Sequence, residues 1–90
     1  MKAEDRVTVR DGVMFNRVGD EVVLLDLDSG TYFGLDSVGG RVWDLLTGTA
    51  TIGETIETML AEYEVDRGIL ERDVLRLVNE LEEKGLISAV

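Results

Sequence analysis

An α+β fold is predicted for this chain, with strands first and three helices after them. Three observations predict it. Up to Leu35 the sequence is rich in Val, Gly and aromatic residues, broken by short turn signals. Beyond Asp36 it turns rich in Leu, Glu and Arg, and its apolar residues fall at helical spacing. No proline occurs anywhere, so none of these segments is interrupted by one. Strands segregated from helices in this way are the mark of the α+β class.

The strands follow in order. Val7–Arg10 reads as a short strand or an extended arm, with residues 1–6 expected to be flexible. Asp11-Gly12 signals a turn, Val13–Val18 a strand, and Gly19-Asp20 the next turn. Glu21–Leu27 carries the strongest strand pattern. Its run Val22, Val23, Leu24, Leu25 predicts burial on both faces, or an edge protected by a partner. Asp28-Ser29-Gly30 then turns the chain, with Gly30 free to take positive φ. Thr31–Leu35 completes the strand region. Thr31, Phe33 and Leu35 share one face, and Tyr32 and Gly34 the other.

The helices have clear boundaries. Asp36 or Ser37 caps the first, which ends at Gly48 after about Thr47. Val38, Val42, Leu45 and Leu46 form its stripe, with Trp43 on the shoulder. Gly39-Gly40 costs that helix about 1 kcal/mol per glycine against alanine, which points to close approach of helix and sheet. Thr51-Ile52-Gly53-Glu54 has the capping-box pattern and starts a second helix that reaches Tyr63. Asp66 caps a third, about Arg67–Lys84, with Leu70, Val74, Leu77, Val78 and Leu81 on one face. Gly85 ends it, and Leu86-Ile87 packs back or adds a short strand. The helical part has helix-turn-helix spacing with a hairpin wing before it.

Composition narrows the function. Ninety residues make a single domain, one that buries roughly 60–65% of its unfolded surface. There is no cysteine and no histidine. That removes disulfides, thiolate metal sites, and the commonest general base and metal ligand. No apolar run approaches the roughly 20 residues of a membrane span, and MKAEDRVTVR lacks the apolar core of a signal peptide. A cytoplasmic protein without membrane contact is expected. The net charge of −10 opposes nucleic-acid binding.

No chemistry-bearing constellation survives inspection. Asp26-Leu27-Asp28-Ser29-Gly30 is a hairpin turn and not a calcium loop, because the ligand spacing fails. Glu80, Glu82 and Glu83 lie on a solvated helix face. Ser29, Ser37 and Ser88 have no base to activate them. Gly39-Gly40 lacks the Gly-Lys-Ser/Thr pattern of a phosphate loop. On the third helix, Arg67, Arg72, Arg76, Asn79 and Lys84 alternate with Glu71, Asp73, Glu80, Glu82 and Glu83, a balanced surface and not a basic stripe. No enzyme activity, metal or cofactor is expected.

A binding surface is expected instead. Thr31–Leu35 reads as a sheet edge, and Gly34 beside Tyr32 leaves a shallow slot. Leu77 lies at the margin of the third helix's stripe, with Asp73, Arg76 and Glu80 beyond it on the same side. A groove between strand and helix would have an apolar floor and charged lips.

These residues carry a resemblance. The strand pair EVVLLDLDSGTYFGL, the helix SVGGRVWDLLTG, the spacer TIGETIETMLAEYEVD, and Asp73-Val74 with Leu77, Leu81, Gly85 and Leu86 resemble the PqqD-like family of peptide chaperones, the RiPP recognition elements. The likeness runs from about Val13 to Ile87. It is strongest to the standalone leader-binding proteins of lasso peptide biosynthesis. The resemblance implies a three-stranded antiparallel sheet followed by three helices, winged helix-turn-helix-like, making residues 1–90 a single peptide-binding domain. It implies a non-catalytic protein that binds the leader of a ribosomally made precursor by strand addition. The protein would then deliver the leader to a processing enzyme, a leader peptidase in a lasso pathway. Two alternatives are a peptide chaperone for a radical S-adenosylmethionine enzyme and a winged-helix DNA-binding regulator. Carried onto this chain, the edge is Thr31, Tyr32, Phe33, Gly34 and Leu35, and the matching helix positions include Asp73 and Leu77. Arg76 and Glu80 are added by geometry. An apolar leader residue would sit between Tyr32 and Leu77, with Asp73 or Glu80 meeting a basic one. The edge also permits self-pairing, so both a monomer and an edge-paired dimer are allowed.

Overall fold

A computed structural model describes residues Met1–Val90. Five strands and three helices follow in the order β1 (Val7–Val9), β2 (Val13–Val18), β3 (Glu21–Asp26), β4 (Thr31–Leu35), α1 (Ser37–Thr47), α2 (Ile52–Glu62), α3 (Arg67–Glu83) and β5 (Ile87–Ala89). β2, β3 and β4 form an antiparallel sheet in that order, followed by the three helices as expected. β1 and β5, from opposite ends of the chain, make a separate antiparallel pair.

Turn chemistry sets the hairpins. Gly12, Gly19 and Gly30 all take positive φ, which a side chain would oppose. The β3–β4 turn is held by Asp26, whose carboxylate accepts from the Asp28 N–H and the Ser29 hydroxyl. Caps define the helices. Asp36 accepts from the Gly39 N–H, and Asp66 accepts from the Ile69 N–H. Thr51 and Glu54 close a reciprocal capping box. Gly48 ends α1, but the residue with positive φ there is Thr49.

The core lies between one face of the sheet and the helices. Val22 and Leu24 of β3 are fully buried with Trp43 and Leu46 of α1, Ile52 and Met59 of α2, and Val78 and Leu81 of α3. The glycine pair of α1 has a physical reason at Gly40. A Cβ there would lie 3.1 Å from Val22 Cγ2 and 3.3 Å from the Asp20 carbonyl oxygen. Trp43 is core and not shoulder. Its Nε1 has no hydrogen-bond partner, and its ring meets Phe15 of β2 edge-on, with centroids 5.3 Å apart.

Two readings need correction. The Val22–Leu25 run is not buried on both faces, nor is it an edge. β3 is the central strand, with Val22 and Leu24 inward and Val23 and Leu25 half-buried on the outer face. On that outer face Leu25 lies between Met14 and Tyr32, and Val23 between Asn16 and Gly34. Val38 does not join the core either. It is 43% exposed and faces a groove.

The N-terminal residues lie against α2. Ile52 N–H donates to the Asp5 carbonyl and Gly53 N–H to the Ala3 carbonyl, which satisfies two orphan donors of that helix. Ion pairs tie elements across the surface: Arg17 to Asp44, Arg41 to Glu62, and Arg67 to Glu57. No helix is long and apolar enough to cross a membrane.

Candidate functional site

The site is built on β4, which pairs with β3 on one side only. In an antiparallel ladder, alternate residues of an edge strand point both N–H and C=O away from their neighbour. β4 therefore offers a row of free backbone groups. Beside it opens a cavity of about 480 Å³.

β4 supplies Phe33, Gly34 and Leu35 to this cavity. The start of α1 supplies Asp36, Val38, Gly39 and Val42. The opposite wall is α3 and the residue before its cap: Val65, Ile69, Leu70, Asp73, Val74 and Leu77. Nine of the thirteen lining residues are apolar. Ile69 is 50% and Val65 47% exposed, so large aliphatic side chains face solvent here. Aliphatic surface gathered in one concave place is a common feature of recognition sites.

Local sequence explains the shape. Gly34 has no Cβ and nothing within 4 Å of where one would lie, so the strand edge is open at its middle. Asp36 caps α1 immediately after β4, which turns the helix sharply away from the strand. Val65 and Leu70 flank the Asp66 cap at the N′ and N4 positions, where a hydrophobic staple forms.

The expected site residues divide. Phe33, Gly34, Leu35, Asp73 and Leu77 come together around the cavity. Thr31 lies at one end, in a smaller hollow with Phe33, Lys84 and Leu86. Tyr32 points to the outer face of the sheet, beside Leu25, and is 69% exposed. Arg76 and Glu80 line a shallow hollow on the outer face of α3 with Arg72 and Asn79. Arg76 reaches the cavity only through Asp73, whose Oδ1 accepts from its guanidinium at 2.5 Å. Val38, Val65, Ile69 and Leu70 also line the cavity, beyond the expected set. The available signal was Ile69, an aliphatic residue outside the α3 stripe, and Val65 just before a cap.

Glu54 is held below the ordinary glutamate range by hydrogen bonds from Thr51. Glu57 and Glu62 are held low by hydrogen bonds from Arg67 and Arg41, respectively. All three lie outside the cavity lining. No group of three or more Asp or Glu side chains is placed to hold a metal ion. The arrangement suits an extended peptide: backbone groups along one side and aliphatic pockets along the other.

Comparison with known proteins bears on this geometry. Residues 21–87 match the family described as coenzyme PQQ synthesis protein D (PqqD). The PqqA binding protein of Gluconobacter oxydans (strain 621H) is 31% identical over 55 residues, which is 61% of this chain and 57% of that protein's length. The chain thus spans less than two thirds of that relative. Two solved structures share the fold. TbiB1 in complex with the TbiA(beta) leader peptide is 43% identical, with a TM-score of 0.85 over 90% of this chain and 94% of that one. Lasso peptide synthetase B1 complexed with the leader peptide is 28% identical, with a TM-score of 0.86 over 92% of this chain and 98% of that one.

Proposed function

The chain belongs to the PqqD family, and from that premise we propose that it binds the leader segment of a ribosomally made precursor peptide. The leader adds as a strand to β4 and seats side chains in the cavity against α3. The observation that carries this reading is the unpaired β4 edge bordering an aliphatic cavity. Support comes from the two related structures, each of which holds a leader peptide. In this reading residues 1–90 act as one cytoplasmic, non-catalytic domain that hands the leader to a separate enzyme, a leader peptidase of a lasso pathway. The family resemblance also implies a second partner class, a radical S-adenosylmethionine enzyme; the Gluconobacter relative is a PqqA binding protein.

Magnitudes say where the affinity arises. A five-residue strand forms about four backbone hydrogen bonds, each worth about 0.5–1.5 kcal/mol net. Ordering a flexible leader costs about 2–5 kcal/mol. These nearly cancel. Burying an aliphatic or aromatic side chain contributes about 1.5–3 kcal/mol. One or two leader side chains in the cavity therefore supply most of the binding energy. Phe33, Leu35 and Leu77 are the walls they meet, with Asp73 at the rim. Thr31, Tyr32, Arg76 and Glu80 act from the periphery.

The test is a titration with the leader peptide encoded beside this gene. Leu77 is half-buried at the core's rim, so Leu77→Asp is expected to fold and to weaken binding at least about tenfold, or about 1.4 kcal/mol. Unchanged affinity in a folded variant would remove Leu77 from the site. Hydrogen exchange gives an independent readout. Outward amides of β4 should gain protection with peptide while those of β2 do not, and protection of β2 alone would overturn the assigned edge.

A further inference from the structure

The two ends of the groove carry opposite charge. At the Leu35 end, Asp36 and Asp73 line the cavity. Asp36 uses Oδ1 for the Gly39 N–H, and Asp73 uses Oδ1 for the exposed Arg76. The second carboxylate oxygen of each makes no hydrogen bond. At the Thr31 end stands Lys84, the C-cap of α3. Its Nζ sits 5.6 Å from the centroid of the Phe33 ring, and it forms no ion pair. Asp26, in the same hollow, is occupied by its own turn. Glu80 and Glu83 share the outer face of α3 with Lys84 without pairing to it. On a chain with nineteen acidic and nine basic residues, an unpaired lysine at the end of a binding groove is a specific feature.

Direction follows from the sheet. Both strand pairs of the β2-β3-β4 sheet are antiparallel, and a strand that continues this pattern runs from the Leu35 end to the Thr31 end. Its side chains opposite Leu35 and Phe33 share their face and point toward α3. Residues opposite Leu35 and Thr31 are four positions apart, about 13 Å at roughly 3.3 Å per residue.

We propose that this groove selects its strand by charge polarity: a basic residue at the N-terminal end, an acidic residue four to six positions later, and apolar side chains between them. Asp36 and Asp73 receive the cation and Lys84 receives the anion. The polarity thereby fixes the direction of the added strand. This rests on the strand-addition reading above and names the ligand class within it. Rim charges are individually weak, so the apolar pockets hold the peptide and the charges orient it.

The test compares two capped synthetic peptides of identical composition. One reads Lys-Lys-Val-Tyr-Val-Leu-Val-Glu-Glu, and in the other the terminal pairs are exchanged. Titration at low salt is expected to show the first binding about tenfold tighter, since exchange turns two attractions into two repulsions. The preference should shrink at high salt. Lys84→Glu, a change at an exposed helix end, is expected to narrow or reverse it. Equal affinity for both peptides overturns charge selection while leaving strand addition standing. A preference for the exchanged peptide overturns the assigned direction. Failure of both to protect the β4 amides from exchange overturns the binding reading and this one with it.

Discussion

β2 and β4 are both unpaired edges of one sheet, yet they have been finished differently. β2 lies almost wholly exposed. Its inward side chains, Phe15 and Arg17, are committed to the fold. Phe15 meets Trp43 edge-on, and Arg17 pairs with Asp44 of α1. An inward-pointing charge is one of the devices that blunt a sheet edge against pairing. The hollow nearest to it is lined by Arg17, Asp20, Ser37, Arg41, Asp44 and Tyr63 and is polar. β4 instead borders the aliphatic cavity, with Gly34 bare at its middle. Free backbone groups alone would make the two edges equally adhesive. The difference teaches that the neighbouring wall, not the edge itself, turns a strand into a recognition surface.

The largest effect should come from the strand that both edges share. Leu24 is fully buried in β3, so Leu24→Ala should destabilise the fold by about 2–5 kcal/mol in denaturant titration. Amides of β2 and β4 should then exchange faster together. Unequal loss would mean that the edges are not one cooperative unit. Phe15→Ala comes next. Losing the aromatic pair should cost about 0.5–1.5 kcal/mol beyond the area lost, and peptide affinity should stay within about twofold because Phe15 lies outside the cavity. A marked loss of affinity would break the comparison outright.

Thr51→Ala touches neither edge. It removes the α2 capping box and should cost about 1 kcal/mol, with β2 and β4 affected alike. Glu54 should rise only in part, because the Thr51 backbone N–H, the largest cause of its depression, remains in the alanine variant. The smallest effect is the pH dependence. Glu54, Glu57 and Glu62 have depressed pKa values in the folded state. Their stabilisation is present above the ordinary glutamate range and is lost as pH falls through the depressed values. Melting scans below pH 4.5 should show this loss, more shallowly in Thr51→Ala.

What could be read from the sequence was local. Caps at Asp36, Thr51 and Asp66 and the glycine turns depend on neighbours within a few positions, and each stands where expected. The β1–β5 pairing joins the two ends of the chain, and strands of three residues carry no sign of so distant a partner. Val38 shows a second limit. Helical spacing gives the face a residue occupies but not whether that face is covered. Arg76 shows a third. A step of one residue rotates a helix position by about 100°, enough to move a side chain from a groove's lip to the helix's outer face. A groove between β4 and an apolar margin on α3 is readable from the residues, and the family resemblance adds that its expected occupant is an extended leader peptide.

The β1–β5 pair has a consequence for assembly. Val7 sits opposite Ala89, and the Val90 N–H donates to the Arg6 carbonyl. Arg6 and Val90 therefore lie side by side, while the residues before Arg6 run on against α2. Lys84 and Leu86, at the Thr31 end of the groove, lead within a few residues into β5. A second protein tethered by a short flexible segment after β5 would be held near that end of the groove at roughly millimolar effective concentration.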